Sequence, residues 1–104
     1  MPRNRSHQTH RLFETMRSAP TNELWGLEIV RRSGVSAATT YGILRRLEDE
    51  GLVKSRWEIL DPQSAGRPPR RYYRLTVEGE RVAERETSGQ RQALRLLIPG
   101  WKTP

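Results

Sequence analysis

Apolar residues recur at helical spacing in four stretches of the chain and change to alternation in one, between residues 52 and 77. In the first stretch, Thr9 to Ala19, Leu12, Phe13 and Met16 fall at i, i+1 and i+4, the stripe of a short amphipathic helix that Pro20 prevents from continuing. The second stretch, LWGLEIVRRSG, turns Leu24, Leu27 and Val30 inward with Ile29 beside them. Thr21 or Asn22 can cap that helix, Gly34 supplies a left-handed stop, and Trp25 reads as a packing residue. After the turn, Ser36 can accept the Thr39 amide, so it is the natural N-cap of a third helix that Gly51 ends.

At about 100° per residue, Thr40, Leu44 and Leu47 share one face of this third helix, with Ala37 and Tyr41 on its flank. Ala38, Gly42, Arg45, Arg46 and Asp49 gather opposite. The alternating stretch then predicts two strands, Leu52–Leu60 and Arg70–Val77, joined by the loop DPQSAGRPPRR. Thr76 can cap a last helix beginning at Val77 or Glu78, with Val82 and Ala83 as its early apolar residues. A polar run from Arg85 to Gln92 follows, before Ala93, Leu94, Leu97 and Ile98 resume a stripe that Pro99 and Gly100 end.

Helix, tight turn, helix and arginine-loaded hairpin in that order describe a winged helix-turn-helix. The fold class is mainly α with a small β-hairpin wing (α+β), in a single domain with a C-terminal helix. The expected organisation is a disordered basic arm over 1–8, the DNA-binding domain over 9–77, a dimerisation helix over 78–98 and a tail over 99–104.

Charge sharpens this reading. Lysine and arginine total 19 against 12 acids, a formal +7 with a pI near 11.0, and every cation except Lys54 and Lys102 is arginine. Arginine forks phosphate and guanine bidentately, so the bias points to nucleic acid. The chain has no cysteine, hence neither disulfide nor thiolate metal site. No apolar run approaches the ~20 residues that span a bilayer. The polar start MPRNRSHQTH is no secretory signal, so the protein is expected to stay in the cytoplasm with the nucleoid.

An enzyme reading fails on inventory. His7 and His10 lie in or beside the basic arm with no carboxylate partner in view, and neither a Gly-rich phosphate loop nor an HExxH pattern occurs. Neither metal nor cofactor is expected.

The exposed N-terminal half of the third helix is small and uncharged at Ala38, Thr39 and Gly42, which lets a backbone approach base edges in a major groove. Arg45 and Arg46, one to two turns on, would reach bases or phosphates. Asp49 and Glu50 would repel phosphate, so the N-terminal half should enter the groove. In the hairpin loop, Pro68 and Pro69 stiffen an extended tip and Arg67, Arg70 and Arg71 surround it. Gly66-Arg67-Pro68 looks like the core of an AT-hook, which slides an arginine into a narrow A·T minor groove.

With those residues placed, the chain resembles the PadR-like family of winged-helix transcriptional regulators. The stretches that carry the resemblance are WGLEIVRRSGVSAATTYGILRRLEDEGLV, SRWE and GRPPRRYYRLTVEGE, spread over residues 25–80. The resemblance implies a homodimer that binds palindromic operators in double-stranded DNA and represses nearby genes. By matching position it gives Ser36, Thr39, Tyr41 and the wing arginines a DNA-contact role. Some relatives release DNA when a small aromatic ligand enters the dimer interface, which implies a small aromatic effector here.

Two other readings fit the same residues. A phage or plasmid accessory factor that bends DNA for excision or replication would use the same helix and wing. A protein-interaction module would want an apolar or acidic face where this chain has Ala38, Gly42, Arg45 and Arg46. For the dimer, Leu94, Leu97, Ile98 and Trp101 offer the largest apolar cluster without an obvious internal partner, and Leu12, Phe13 and Met16 are the natural second contributors.

Overall fold

The structure is a computed structural model that describes residues 5–19 and 23–97, with residues 88–97 described as helix backbone only. The expected Thr21 or Asn22 cap, most of the basic arm and the tail fall on residues outside that set, as do Ile98, Trp101 and the side chains of Leu94 and Leu97. Along the chain run α1 (His7–Arg17), β1 (Leu24–Trp25), α2 (Gly26–Ser33), α3 (Ala37–Asp49), β2 (Val53–Trp57), α4 (Pro62–Ala65), β3 (Arg71–Leu75) and α5 (Val77–Leu97). This is a helix-rich domain with one small antiparallel sheet, in the winged helix-turn-helix arrangement.

Helix α1 begins two residues before Thr9 because Ser6 caps it, its hydroxyl oxygen accepting the Thr9 amide at 3.2 Å. Immediately before the cap, Arg5 donates to Glu50 at 2.9 Å and to Glu86 at 2.6 Å. The expectation of a disordered arm over 1–8 is therefore corrected for residues 5–8, which are fixed by a cap and two ion pairs. His10 is corrected as well: its Nε2 lies 3.0 Å from a Glu86 carboxylate oxygen, a partner far along the chain that local spacing cannot reveal.

Leu24 and Trp25 also depart from expectation. They form a strand, with Leu24 opposite Tyr73 and Trp25 opposite Tyr72, so the sheet has three strands in the order β1-β3-β2 rather than the two of a bare hairpin. Helix α2 consequently starts at Gly26 with Trp25 at its N-cap and no side-chain cap. Ile29 is its fully buried residue, while Leu27 and Val30 are half-buried. Gly34 closes the helix at φ 72°, the left-handed conformation that glycine adopts without a Cβ clash.

Helix α3 matches its sequence signals at both ends. Ser36 accepts the Thr39 amide, and the far end closes in a Schellman arrangement: the Gly51 amide donates to the Glu48 carbonyl and the Leu52 amide to that of Leu47. Thr40, Ile43, Leu44 and Leu47 are its buried stripe.

The core joins α1, α2, α3, the sheet and the start of α5. Leu12 and Phe13 are fully buried in it and Met16 nearly so. Burial of each such side chain contributes about 1.5–3 kcal/mol to this domain's own folding. The expectation that Leu12, Phe13 and Met16 face a second copy is corrected: their surface is already spent inside the monomer, against α5 among others.

Helix α5 runs unbroken through the polar segment after Ala83. Its N-terminus is capped by Thr76, which accepts the Gly79 amide at 3.0 Å while its hydroxyl donates to the Gly51 carbonyl at 2.8 Å. Gly79 itself lies so close to the end of α3 that a Cβ there would collide with the Leu52 carbonyl. Val82, Ala83 and Thr87 are buried against the rest of the domain, and Arg17 of α1 donates to the Thr87 hydroxyl at 3.0 Å.

Candidate nucleic-acid interface

Helix α3 turns its polar face outward. Ser36, Ala38, Gly42, Arg45 and Arg46 are exposed, and Thr39 is partly so. Nothing lies within 4 Å of the position a Gly42 Cβ would occupy, so this point of the helix stands in open space. Arg45 and Arg46 form no ion pair among the described residues, which leaves both guanidiniums available to an incoming anion.

Tyr41 behaves differently. It is 42% exposed and leans from the flank of α3 over the start of α2, where a Cβ on Gly26 would stand 2.8 Å from its Cε1 and hydroxyl. Only glycine leaves room for the ring there.

The sheet extends this surface. Alternation puts Val53, Ser55 and Trp57 of β2 on one face, opposite Leu75, Tyr73 and Arg71 of β3. That face is core at one end, with Val53 and Leu75 buried, and open at the other, where Trp57 is 60% exposed. Trp57 and the fully exposed Ile59 lie past the edge of the core.

The wing has a compact tip. Asp61 caps the single turn of α4, accepting the Gln63 amide at 3.1 Å and the Ser64 hydroxyl at 2.8 Å. These donors hold its carboxyl below the usual aspartate range. Gly66 at φ 70° then reverses the chain. The tip is thus the turn Pro62–Ala65, and Pro68 and Pro69 sit behind it, lining a cleft rather than stiffening a projecting end.

The three wing arginines are held in place instead of extended. Arg67 donates to both oxygens of Glu58, at 2.8 and 3.3 Å, so its AT-hook-like segment folds back on the wing. This pair, more than any other contact, lowers the Glu58 carboxyl below the ordinary glutamate range. Arg70 stacks on Trp25 with its guanidinium carbon 4.0 Å from the ring centroid. Arg71 donates to Ser55 Oγ at 2.8 Å and to Glu48 at 3.3 Å, and lies over Trp57 and Tyr73 at 5.5 and 5.6 Å. Burial pushes the Tyr73 hydroxyl up, so the phenol stays neutral beside Arg71.

The basic surface thus has two parts. Arg45 and Arg46 on α3 are free among the described residues, and Arg67, Arg70 and Arg71 on the wing are braced by carboxylates or aromatic rings. Sequence reasoning missed Trp25 and Trp57 as parts of this surface. The signal was present in the alternation and in Trp25 preceding Gly26, but it required the pairing of β1 with β3.

An exposed helix with small and arginine residues, preceded by a tight turn and flanked by a basic wing, defines a DNA-binding winged-helix regulator. The chain belongs to the transcriptional regulator PadR-like family, whose profile matches residues 19–85, well over half of its length. That family consists of transcription regulators and not of enzymes.

Among solved structures, the chain is similar to a PadR family transcription regulator from hypervirulent Clostridium difficile, with TM-score 0.72 and 24% identity over 88% of this chain and 95% of that one. It is similar in fold to BpsR of Bordetella bronchiseptica, whose DNA binding is regulated by 6-hydroxynicotinic acid (TM-score 0.76, 16% identity, 98% of this chain and 72% of that one). S. aureus MepR in its DNA-binding conformation gives TM-score 0.69 and 17% identity over 95% of this chain and 68% of that one. No curated protein sequence matches the chain significantly. Among the described residues, no helix is long and apolar enough to cross a membrane.

Proposed function

We propose that the protein is an operator-specific repressor that acts as a homodimer in the cytoplasm, where its DNA is. The reading is carried by the outward face of α3, whose small N-terminal half has open space at Gly42 and is followed by Arg45 and Arg46, unpaired among the described residues. A neutral, low-relief surface can seat against base edges, and the arginines behind it reach guanine or phosphate. Ser36, Ala38, Thr39 and Gly42 approach the major-groove floor, and Tyr41 contacts the adjoining backbone. Residues 60–71 of the wing lie along phosphates or the minor groove.

Arg67 enters this reading in a modified way. A phosphate must take the place of Glu58 before Arg67 leaves its ion pair, so Arg70 and Arg71 make the first wing contacts and Arg67 follows.

The dimer rests on α5. Leu94 and Leu97 recur at helical spacing near its end, Ile98 and Trp101 follow them in the sequence, and Leu12, Phe13 and Met16 no longer contribute. Two recognition helices about 34 Å apart would meet successive major grooves of a palindrome. Such regulation also allows a small aromatic effector, as 6-hydroxynicotinic acid is for BpsR.

The experiment is selection of bound fragments from the source genome followed by footprinting. Palindromic sites with half-sites one helical turn apart, upstream of genes that are derepressed when the protein is absent, are the expected result. A single asymmetric site inside a recombination or replication region would replace the repressor with a DNA-bending accessory factor.

A further inference from the structure

Between α3 and the wing lies an open cleft of about 480 Å³, walled by Trp25, Tyr41, Trp57 and Tyr73 and edged by the wing prolines. That volume falls within the range of small-molecule sites, which are typically apolar pockets with a few placed polar groups. Three arginines line it, Arg67, Arg70 and Arg71. Two of them are already matched by carboxylates, Arg67 by Glu58 and Arg71 by Glu48. Arg70 is not. Its guanidinium carbon stands 4.0 Å from the Trp25 ring centroid, and its buried Nε has no hydrogen-bond partner among the described residues. A buried donor without an acceptor is costly, and a charged one more so.

We propose that this cleft is a binding site for a planar aromatic monoanion. The ring would stack on the exposed Trp57 face and beside Tyr41, while its single acidic group accepts from Arg70. Three guanidiniums against two neighbouring carboxylates leave one uncompensated positive charge, which suits one negative charge. A dianion would meet Glu48 and Glu58. A bare inorganic anion or a DNA phosphate would satisfy Arg70 but leave the aromatic walls uncovered. An aryl carboxylate and a monoanionic cyclic nucleotide share the required chemistry.

Tyr41, Arg67, Arg70 and Arg71 belong both to this cleft and to the proposed DNA face. An occupant would therefore compete with DNA directly, without acting through a dimer interface. Only this regulatory consequence rests on the DNA reading; the binding itself does not.

The test uses the full chain without DNA, following the Trp25 and Trp57 indole N–H resonances by two-dimensional NMR during titration with 1-naphthoate. Saturable shifts of both resonances are expected. The neutral 1-naphthalenemethanol and the non-planar cyclohexanecarboxylate should each bind at least about tenfold more weakly. Arg70→Gln and, separately, the surface change Trp57→Leu should each weaken naphthoate about tenfold in a chain whose circular dichroism is unchanged. A parallel titration with 3′,5′-cyclic AMP against naphthoate tells a nucleotide site from an aryl-acid site, and tighter binding of either supports the proposal.

No saturable shift with either anion up to about 10 mM overturns it, as does equal binding of the neutral alcohol or indifference to both substitutions. Failure to bind any duplex in a separate gel-shift assay would remove the regulatory consequence and leave these outcomes as they stand.

Discussion

Tyr41 occupies the space that a side chain on Gly26 would need: a Cβ there would stand 2.8 Å from the ring edge and from the hydroxyl. The first residue of α2 thereby sets the position of a side chain on α3 that faces both the proposed DNA surface and the aromatic cleft. Gly26→Ala should push the half-exposed ring outward without disturbing the core. The expected result is a melting temperature within a few degrees of the parent, together with about a tenfold loss in duplex affinity by fluorescence anisotropy. Unchanged affinity would detach Tyr41 from the interface.

Gly42 gives the opposite kind of test, because a Cβ there would meet nothing within 4 Å outside its own helix backbone. Glycine within a helix costs roughly 0.5–1 kcal/mol relative to alanine, so Gly42→Glu should leave helicity intact and stability equal or higher. The same change puts a carboxylate where the groove floor is expected and should abolish operator binding. A stable variant that still binds its operator would mean that α3 does not enter the groove with this face.

The wing should respond to acid. Arg67 holds the Glu58 carboxyl below its ordinary range, so this pair's stabilisation is present above the unfolded glutamate value and is lost as pH falls through the lowered folded one. Carboxylate NMR should give Glu58 a titration midpoint below that of an exposed glutamate, and Arg67→Ala should move it upward. A midpoint that does not move in the variant would show that the pair is not formed in solution.

Gly79 of α5 packs against the connection between α3 and β2, where a Cβ would strike the Leu52 carbonyl. The obstacle is backbone and cannot rotate away. Gly79→Ala should therefore cost about 1–3 kcal/mol through overpacking, lowering the melting temperature by several degrees for each kcal/mol. Calorimetry showing parent-like stability would indicate that α5 docks elsewhere.

Local signals were legible in the sequence and distant ones were not. Ser36 as a cap, Gly51 as a stop and the Thr40, Leu44, Leu47 stripe each depend on residues within a turn or two of one another, and the structure reproduces them. Thr76 could be read as a cap for the same reason. Strand β1 could not, because Leu24 and Trp25 become a strand only through Tyr72 and Tyr73, which lie far along the chain. Arg5 looked like part of a free arm until Glu86, 81 residues away, was brought beside it.

The same limit applies to the site. Exposure of Ala38, Gly42, Arg45 and Arg46 follows from helical periodicity and agrees with the structure. The bracing of Arg67 by Glu58 and of Arg70 by Trp25 depends on how the wing folds back. Composition gave the wing arginines their charge but not their partners.

If the arginine face of α3 and the wing contact the DNA backbone, binding must depend on salt. Each phosphate contacted releases condensed counterions, so log K for a duplex should fall with log salt at about 0.9 per contact. Binding of the full chain to a short duplex, measured by anisotropy across a salt series, should give a steep linear decline, and Arg45→Ala should make it shallower by about one contact. A flat dependence on salt, with or without Arg45, would mean that this face does not contact phosphates.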